Sequence, residues 1–273
     1  MNHAHHPEHA DLSHDEPNEP PSLWLGLAEV RAVGEFFAGI MAMPWLRRLP
    51  RGDGHPVLVI PGFGASDSST KLLRYLLRKL GYSPYGWGQG LNRGVTAHTE
   101  LRVTQPLQEI QARHQNKVSL IGWSMGGVIA REIARNQVDL VRTVITLGSP
   151  LRGNHKSSRA WKLYALLNRK RLETDLAPEA IIRRMQPLRV PITSICSRND
   201  GIVAWPCSTI QKSELAENIE VHSSHTGFGH HPYVLFAIAD RLAQPQGAWL
   251  PFHREGLRER FYPHVSGAIQ PVG

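Results

Sequence analysis

The run Gly122-Trp123-Ser124-Met125-Gly126, with Gly127 following, sets one serine between glycines. Lys117 to Trp123 before it reads as a short buried strand, and Met125 to Asn136 after it as an amphipathic helix. A serine at such a junction is held out of the sheet on a tight turn. Glycine at 122 and 126 removes side chains that would crowd the neighbouring strand and helix. A hydroxyl is a weak nucleophile near neutral pH, so covalent chemistry at Ser124 needs a base and a third group to orient that base.

Two downstream loops offer these groups. Pro191 to Ser197 (PITSICS) reads as a buried strand, and Arg198-Asn199-Asp200-Gly201 follows it, so Asp200 stands just beyond a strand end beside a glycine that permits a sharp turn. A strand from Asn218 to His222 then leads into Ser223-Ser224-His225-Thr226-Gly227-Phe228-Gly229-His230-His231. His225 comes early in that loop, with Gly227 and Gly229 giving the backbone freedom to aim it. His230 and His231 are the alternatives, placed where the next helix starts and suited to capping or packing. Acyl transfer also needs donors for an oxyanion. The N–H of Met125, directly after the serine, is one candidate. Phe63 in Pro61-Gly62-Phe63-Gly64, which follows the strand Pro56 to Ile60, is the other.

The elements that must position these residues alternate along the chain. After PVLVI at Pro56 to Ile60 come a helix over Thr70 to Leu80, a strand over Tyr82 to Trp87 and a helix over Glu100 to Gln115. The serine strand and helix follow, then a strand over Val141 to Leu147, and later a helix from Pro232. Repeated strand-helix alternation predicts a mostly parallel sheet covered on both faces. Ligands of such sheets bind beyond the carboxyl ends of the strands, where every candidate above lies.

The flanking segments differ in character. Residues 1–21 are polar, rich in His and acids and without Lys or Arg, and are expected to form a disordered tail. Residues 22–49 read as an apolar amphipathic helix ending near Pro44, interrupted by Glu29, Arg31 and Glu35. It either packs on the body or lies on a membrane surface, and packing is the reading taken. Residues 151–189 lack the strand-helix rhythm and read as a helical cap or lid, with apolar residues such as Trp161 and Tyr164 among many Lys and Arg. The tail over 251–273 looks irregular, with Trp249 and Phe252 expected to anchor the chain leading into it.

Outside residues 1–21, 31 Lys and Arg stand against 18 Asp and Glu, a balance that favours anionic surfaces without specifying any chemistry. Peripheral contact with an anionic membrane is therefore an expectation. The two cysteines, Cys196 and Cys207, read as reduced thiols that fit a cytoplasmic setting. The sequence contains no phosphate loop, CxxC pair, HExxH helix or dinucleotide fingerprint, so no cofactor or metal is expected, and no nucleic-acid partner either.

The chain resembles the α/β-hydrolase superfamily, within it the bacterial lipase and esterase branch, through IPGFGAS at Ile60, GWSMGG at Gly122, TLGSPLRG at Thr146, SRNDGIV at Ser197 and SHTGFGHHP at Ser224. The order Ser124, Asp200, His225 is also the order of that superfamily's catalytic residues. The resemblance implies an α/β-hydrolase body over 50–250 carrying the lid insertion. It implies Ser124 as nucleophile, Asp200 as acid, His225 as base, and Phe63 and Met125 as oxyanion donors. The activity implied is hydrolysis of carboxylic esters, small or lipid, through an acyl-enzyme. An acyltransferase with the same residues is the alternative, and a non-catalytic lipid-surface protein is the reading from another class. The chain departs from many such lipases in having Pro61 before Gly62 in place of His, and Leu151 in place of His.

Overall fold

Six strands, four of them rich in β-branched and aliphatic residues, pair into one sheet in the computed structural model, which describes residues 19–46, 49–94, 97–152, 158, 183 and 186–265. The strands are β1 (Pro56–Ile60), β2 (Ser83–Gly86), β3 (Val118–Trp123), β4 (Val141–Leu147), β5 (Ile192–Cys196) and β6 (Ala216–Glu220). They lie in the order β2-β1-β3-β4-β5-β6, and every pairing is parallel.

Alternation along the central strands sends side chains to two cores. Val57 and Val59 of β1 point to the core that also holds leucines of α3 (Lys71–Lys79) and the apolar side of α6 (Pro232–Leu242). Leu58 and Ile60 point to the other face, packed with residues of α4 (Ala97–His114) and α5 (Met125–Asn136). The helices form because each buries one stripe. In α3, Leu73, Leu76 and Leu77 are buried while lysines and arginines stay out, and Gly81, at φ +96°, turns the chain back toward β2.

The α5 start is locked against β1 by missing side chains. A Cβ on Gly126 would lie 2.3 Å from the Ile60 carbonyl oxygen and 2.7 Å from that of Pro61. A Cβ on Gly122 would lie 2.3 Å from the Gly126 carbonyl oxygen. Both obstacles are backbone, which cannot swing aside as a flexible side chain would. Gly126→Ala is therefore expected to lower stability by about 1–3 kcal/mol, the range for overpacked interiors, read as a lower urea midpoint.

The sequence reading and the structure differ at several places, α4 for one starting three residues before the expected Glu100. The N-terminal helix is divided into α1 (Leu23–Leu27), a 3₁₀ turn (Ala28–Arg31) and α2 (Ala32–Leu46), which carries Pro44 in its last turn. It packs on the body through its charged residues together with Ala32, Ala42 and Met43, while most of its large apolar side chains face outward. The last strand is Ala216–Glu220, two residues earlier than expected, because buried polar groups are satisfied there. Glu217 accepts from Thr193, Arg241 and the Phe252 N–H, and Asn218 bonds Ile210 through both ends of its amide. The tail expected to be irregular from 251 holds a 3₁₀ turn (Gly256–Arg260). Phe252 is buried against Tyr262 and anchors it, whereas Trp249 is only half-buried.

The expected lid over 151–189 lies mostly outside the described residues, as does the expected tail over 1–21. Leu151 belongs to the core that holds α5. No helix of the described residues is long and apolar enough to cross a membrane. Cys196 and Cys207 are both free and buried, and burial pushes the Cys196 thiol up to about 12.

Candidate active site

The chain runs from β1 to β2 on one side and then to β3 on the other, so the strand order reverses between β1 and β3. A crevice opens at the carboxyl ends of strands at such a point. Ser124 stands directly after β3, and the loop from Pro61 stands directly after β1.

Ser124 has φ 52° and ψ −122°, and only Gln115 shares a positive φ among the described non-glycine residues. That backbone costs about 1–3 kcal/mol and persists where surroundings dictate it. Here the Ser124 N–H donates to the Leu147 carbonyl at 2.8 Å, and its own carbonyl accepts from Gly127 at 2.9 Å. The turn thus belongs both to the sheet and to α5. The Met125 N–H, at the first position of α5, has no intrahelical acceptor.

The loop after β1 passes beside the serine, since a Cβ on Gly62 would lie 3.4 Å from the Ser124 Cβ. Its shape is held by Asn92, fully buried. The Asn92 amide donates to the Pro61 carbonyl at 2.7 Å, its carbonyl accepts from Gly64 at 2.7 Å, and its N–H donates to Ala65 at 2.8 Å. Asn92 does for this turn what a second strand would do, and no motif in the sequence marks it.

Asp200 is buried beyond β5. Its Oδ1 accepts the N–H groups of Ile202 and Val203, both at 2.8 Å, and its Oδ2 meets His225 Nδ1 at 2.7 Å. Ser197 Oγ ties this loop to the next by donating to the Ser223 carbonyl and accepting the Asn199 and Ser223 N–H groups. His225 is joined to the serine turn as well, because Trp123 Nε1 donates to the His225 carbonyl at 3.1 Å. The structure therefore brings the loops of Ser124, Asp200 and His225 to one end of the sheet. Burial alone would lower the His225 pKa, but the Asp200 charge, its hydrogen bond and the charge of Glu29 outweigh that and hold it above the usual value.

The alternative histidines are engaged elsewhere. His230 Nε2 meets the Ala32 carbonyl at 3.1 Å, and His231 Nδ1 accepts the Tyr233 N–H at the start of α6. Both have lowered pKa values, from burial first.

Three charged residues of the N-terminal segment also reach these loops, and sequence patterns gave no sign of it. Glu29 accepts N–H groups of Gly201 at 2.9 Å, His225 at 2.8 Å and Thr226 at 3.0 Å. Glu35 accepts the Ser224 N–H at 2.9 Å and its hydroxyl at 2.5 Å, and Arg31 donates to the Asn199 carbonyl.

A second Asp-His-Ser chain stands near the amino ends of β1 and β3. His55 contacts Asp53 through Nδ1 and Ser119 Oγ through Nε2 at 2.8 Å. His55 and Ser119 are fully buried, and Asp53 is also paired to Arg142 at 2.7 Å. Connectivity alone thus does not make a site. Position at the carboxyl ends and an elbow at the serine are what distinguish Ser124.

Among the described residues no cluster of three or more His, Cys, Asp or Glu could hold a metal ion. The family model for a PGAP1-like alpha/beta domain matches residues 93–202. A search of curated proteins finds no match to the sequence. Among solved structures, lipase B of Aspergillus fumigatus is similar with a TM-score of 0.55 and 17% identity, over 74% of this chain and 56% of that one. This chain thus spans a little over half the length of that lipase. A structure from work on LipS and LipT, two metagenome-derived lipolytic enzymes, gives a TM-score of 0.54 and 18% identity over 71% of this chain and 93% of that one. The monoacylglycerol lipase of Paleococcus ferrophilus gives 0.51 and 15% over 71% and 95%. With its parallel sheet and a serine on a strained strand-to-helix turn, the chain is an α/β-hydrolase in fold.

Proposed function

We propose that the protein is a serine hydrolase of carboxylic esters that works through an acyl-enzyme. The observation that carries the reading is the strained turn at Ser124, tied through Trp123 to a histidine whose Nδ1 is held by a buried aspartate. With Nδ1–H donated to Asp200, Nε2 is the nitrogen free to act as base. It takes the proton of the Ser124 hydroxyl as Oγ bonds the ester carbonyl carbon. The oxyanion is received by the N–H groups of Phe63 and Met125, each worth about 2.7–4 kcal/mol to the transition state. As the intermediate collapses, the C–O bond to the leaving alcohol breaks and imidazolium returns the proton to that oxygen. Water, deprotonated in turn by His225, attacks the acyl-enzyme, and the acid departs as Ser124 regains its proton.

The similarity in fold to lipases and lipolytic enzymes supports ester substrates, small or lipid. An acyltransferase would share the first half-reaction. The two are separated by product analysis with p-nitrophenyl butyrate in the presence of glycerol or another alcohol. The hydrolase reading expects butyrate to account for most of the released nitrophenol. Acyl transfer outrunning free acid would overturn it.

A further inference from the structure

The outer side of the N-terminal helices is apolar throughout. Leu23, Leu27, Val30, Val33, Phe37 and Met41 follow one another at intervals of three and four, so they share a face. Trp24, Val30 and Met41 are each more than three-quarters exposed, and the tryptophans at 24 and 45 flank the stripe. The charged residues of 22–46 are Glu29, Arg31 and Glu35, all spent on the body. The inner side is shaped for that docking. A Cβ on Gly39 would lie 2.1 Å from the His230 carbonyl oxygen, and one on Gly201 would lie 2.2 Å from that of Leu25. The inner side carries all three charges beside the small or partly buried Ala32, Ala42 and Met43, while most of the large hydrocarbon side chains point outward.

We propose that this outer face seats the protein on an anionic lipid surface, the helices lying in the plane of the interface and not across it. Charge favours lipid over a second copy. Outside residues 1–21 the chain carries 31 Lys and Arg against 18 Asp and Glu, so copies repel while anionic headgroups attract. Tryptophans at both ends suit the headgroup boundary, where an amphipathic ring is favoured. The outer face also offers no charged group that would set the register of a protein partner. The seat adjoins the loops of Asp200 and His225, so it would bring the site to lipid esters. That presentation rests on the hydrolase reading, whereas the binding itself does not.

Vesicle sedimentation tests it with the full chain, using phosphatidylcholine alone and phosphatidylcholine with one-fifth phosphatidylglycerol. The native protein is expected to bind the anionic vesicles more strongly, and combined Trp24→Ser, Phe37→Ser and Met41→Ser to weaken binding by about 100-fold. Turnover of soluble p-nitrophenyl butyrate by the triple variant should stay near native, showing an intact fold. If that ester is not turned over by either protein, circular dichroism reports the fold, and the hydrolase reading fails while the binding result stands. The proposal is overturned if native protein ignores vesicles, or if the triple variant binds as well as native. It is equally overturned if native protein is a dimer that the three substitutions convert to monomer without changing vesicle binding.

A separate observation carries a second inference. One carboxylate, Glu29, accepts N–H groups from the residue after Asp200, from His225 and from Thr226. We infer that Glu29 is a positioning residue that fixes the acid and base loops relative to each other. Burial would raise its pKa, but the three backbone donors outweigh that and keep it charged. The charged groups facing His225 are then Asp200 at Nδ1 and Glu29 at its backbone, with Glu35 held at Ser224 next to it. Glu29→Gln keeps the shape and removes the charge. It is expected to lower kcat/KM about 10- to 100-fold, as small misplacements of reacting groups do, and to move the acid limb of the pH profile to lower pH. A loss of activity with an unmoved acid limb would reduce Glu29 to a structural contact, and unchanged activity would remove it altogether.

Discussion

Ser124→Ala is expected to lower kcat on a soluble ester by about 10⁶-fold, the scale on which removing the nucleophile of a serine hydrolase acts. The loss is complete because no neighbouring hydroxyl occupies the elbow, and Ser119 of the other Asp-His-Ser chain is buried among strands. Stability should scarcely move. The backbone at 124 keeps φ 52° whichever of the two residues stands there, and its bonds to Leu147 and Gly127 are main-chain bonds that alanine preserves. An unfolding midpoint within about 0.5 kcal/mol of native would separate a chemical loss from a folding one. A kcat within tenfold of native would remove Ser124 from the mechanism.

Asp200→Asn is expected to cost about 10⁴-fold in kcat, through a proton in the wrong place and with no loss of shape. The N–H groups of Ile202 and Val203 both point at Oδ1, so they select the carbonyl oxygen of an asparagine for that position. The amide NH₂ is then left facing His225 Nδ1, which must accept. The ring is forced to carry its proton on Nε2, where it cannot take one from Ser124. The native pH profile should show the complementary effect. His225 is held above its usual pKa against the pull of burial, so imidazolium persists to higher pH and kcat/KM rises with an inflection above 6.5. The variant has lost the carboxylate responsible, and what activity it retains should inflect at lower pH. Native and variant profiles that coincide would show that Asp200 does not act through the ring.

Much of the body was legible in the sequence because its signals are local. A run such as PVLVI is buried whatever surrounds it, and the leucines of α3 announce their own face. Ser124, Asp200 and His225 stand out in the sequence as candidates because each lies past a strand end within two residues of a glycine that lets the chain turn. What the sequence hid depends on docking between distant segments. Asn92 looks like any loop asparagine until the Pro61 turn folds over it. Glu29 and Glu35 read as charges that interrupt an apolar helix, whereas in the fold they meet unpaired N–H groups of loops nearly 200 residues away. Helical periodicity gives the two sides of residues 22–46 but not which side turns inward, and here the side that carries the charges docks while most large apolar side chains stay exposed. The start of β6 was misplaced for the same reason, since Glu217 is an unpromising strand residue until Arg241 and Thr193 meet it.

The most direct measurement is covalent labelling with a fluorophosphonate, followed by mass mapping of the modified peptide. The mechanism predicts one adduct on Ser124 in the native protein, none in Ser124→Ala, and slow labelling of Ser124 in His225→Ala. Equal labelling of the native protein and Ser124→Ala, or an adduct on a different residue, would contradict it.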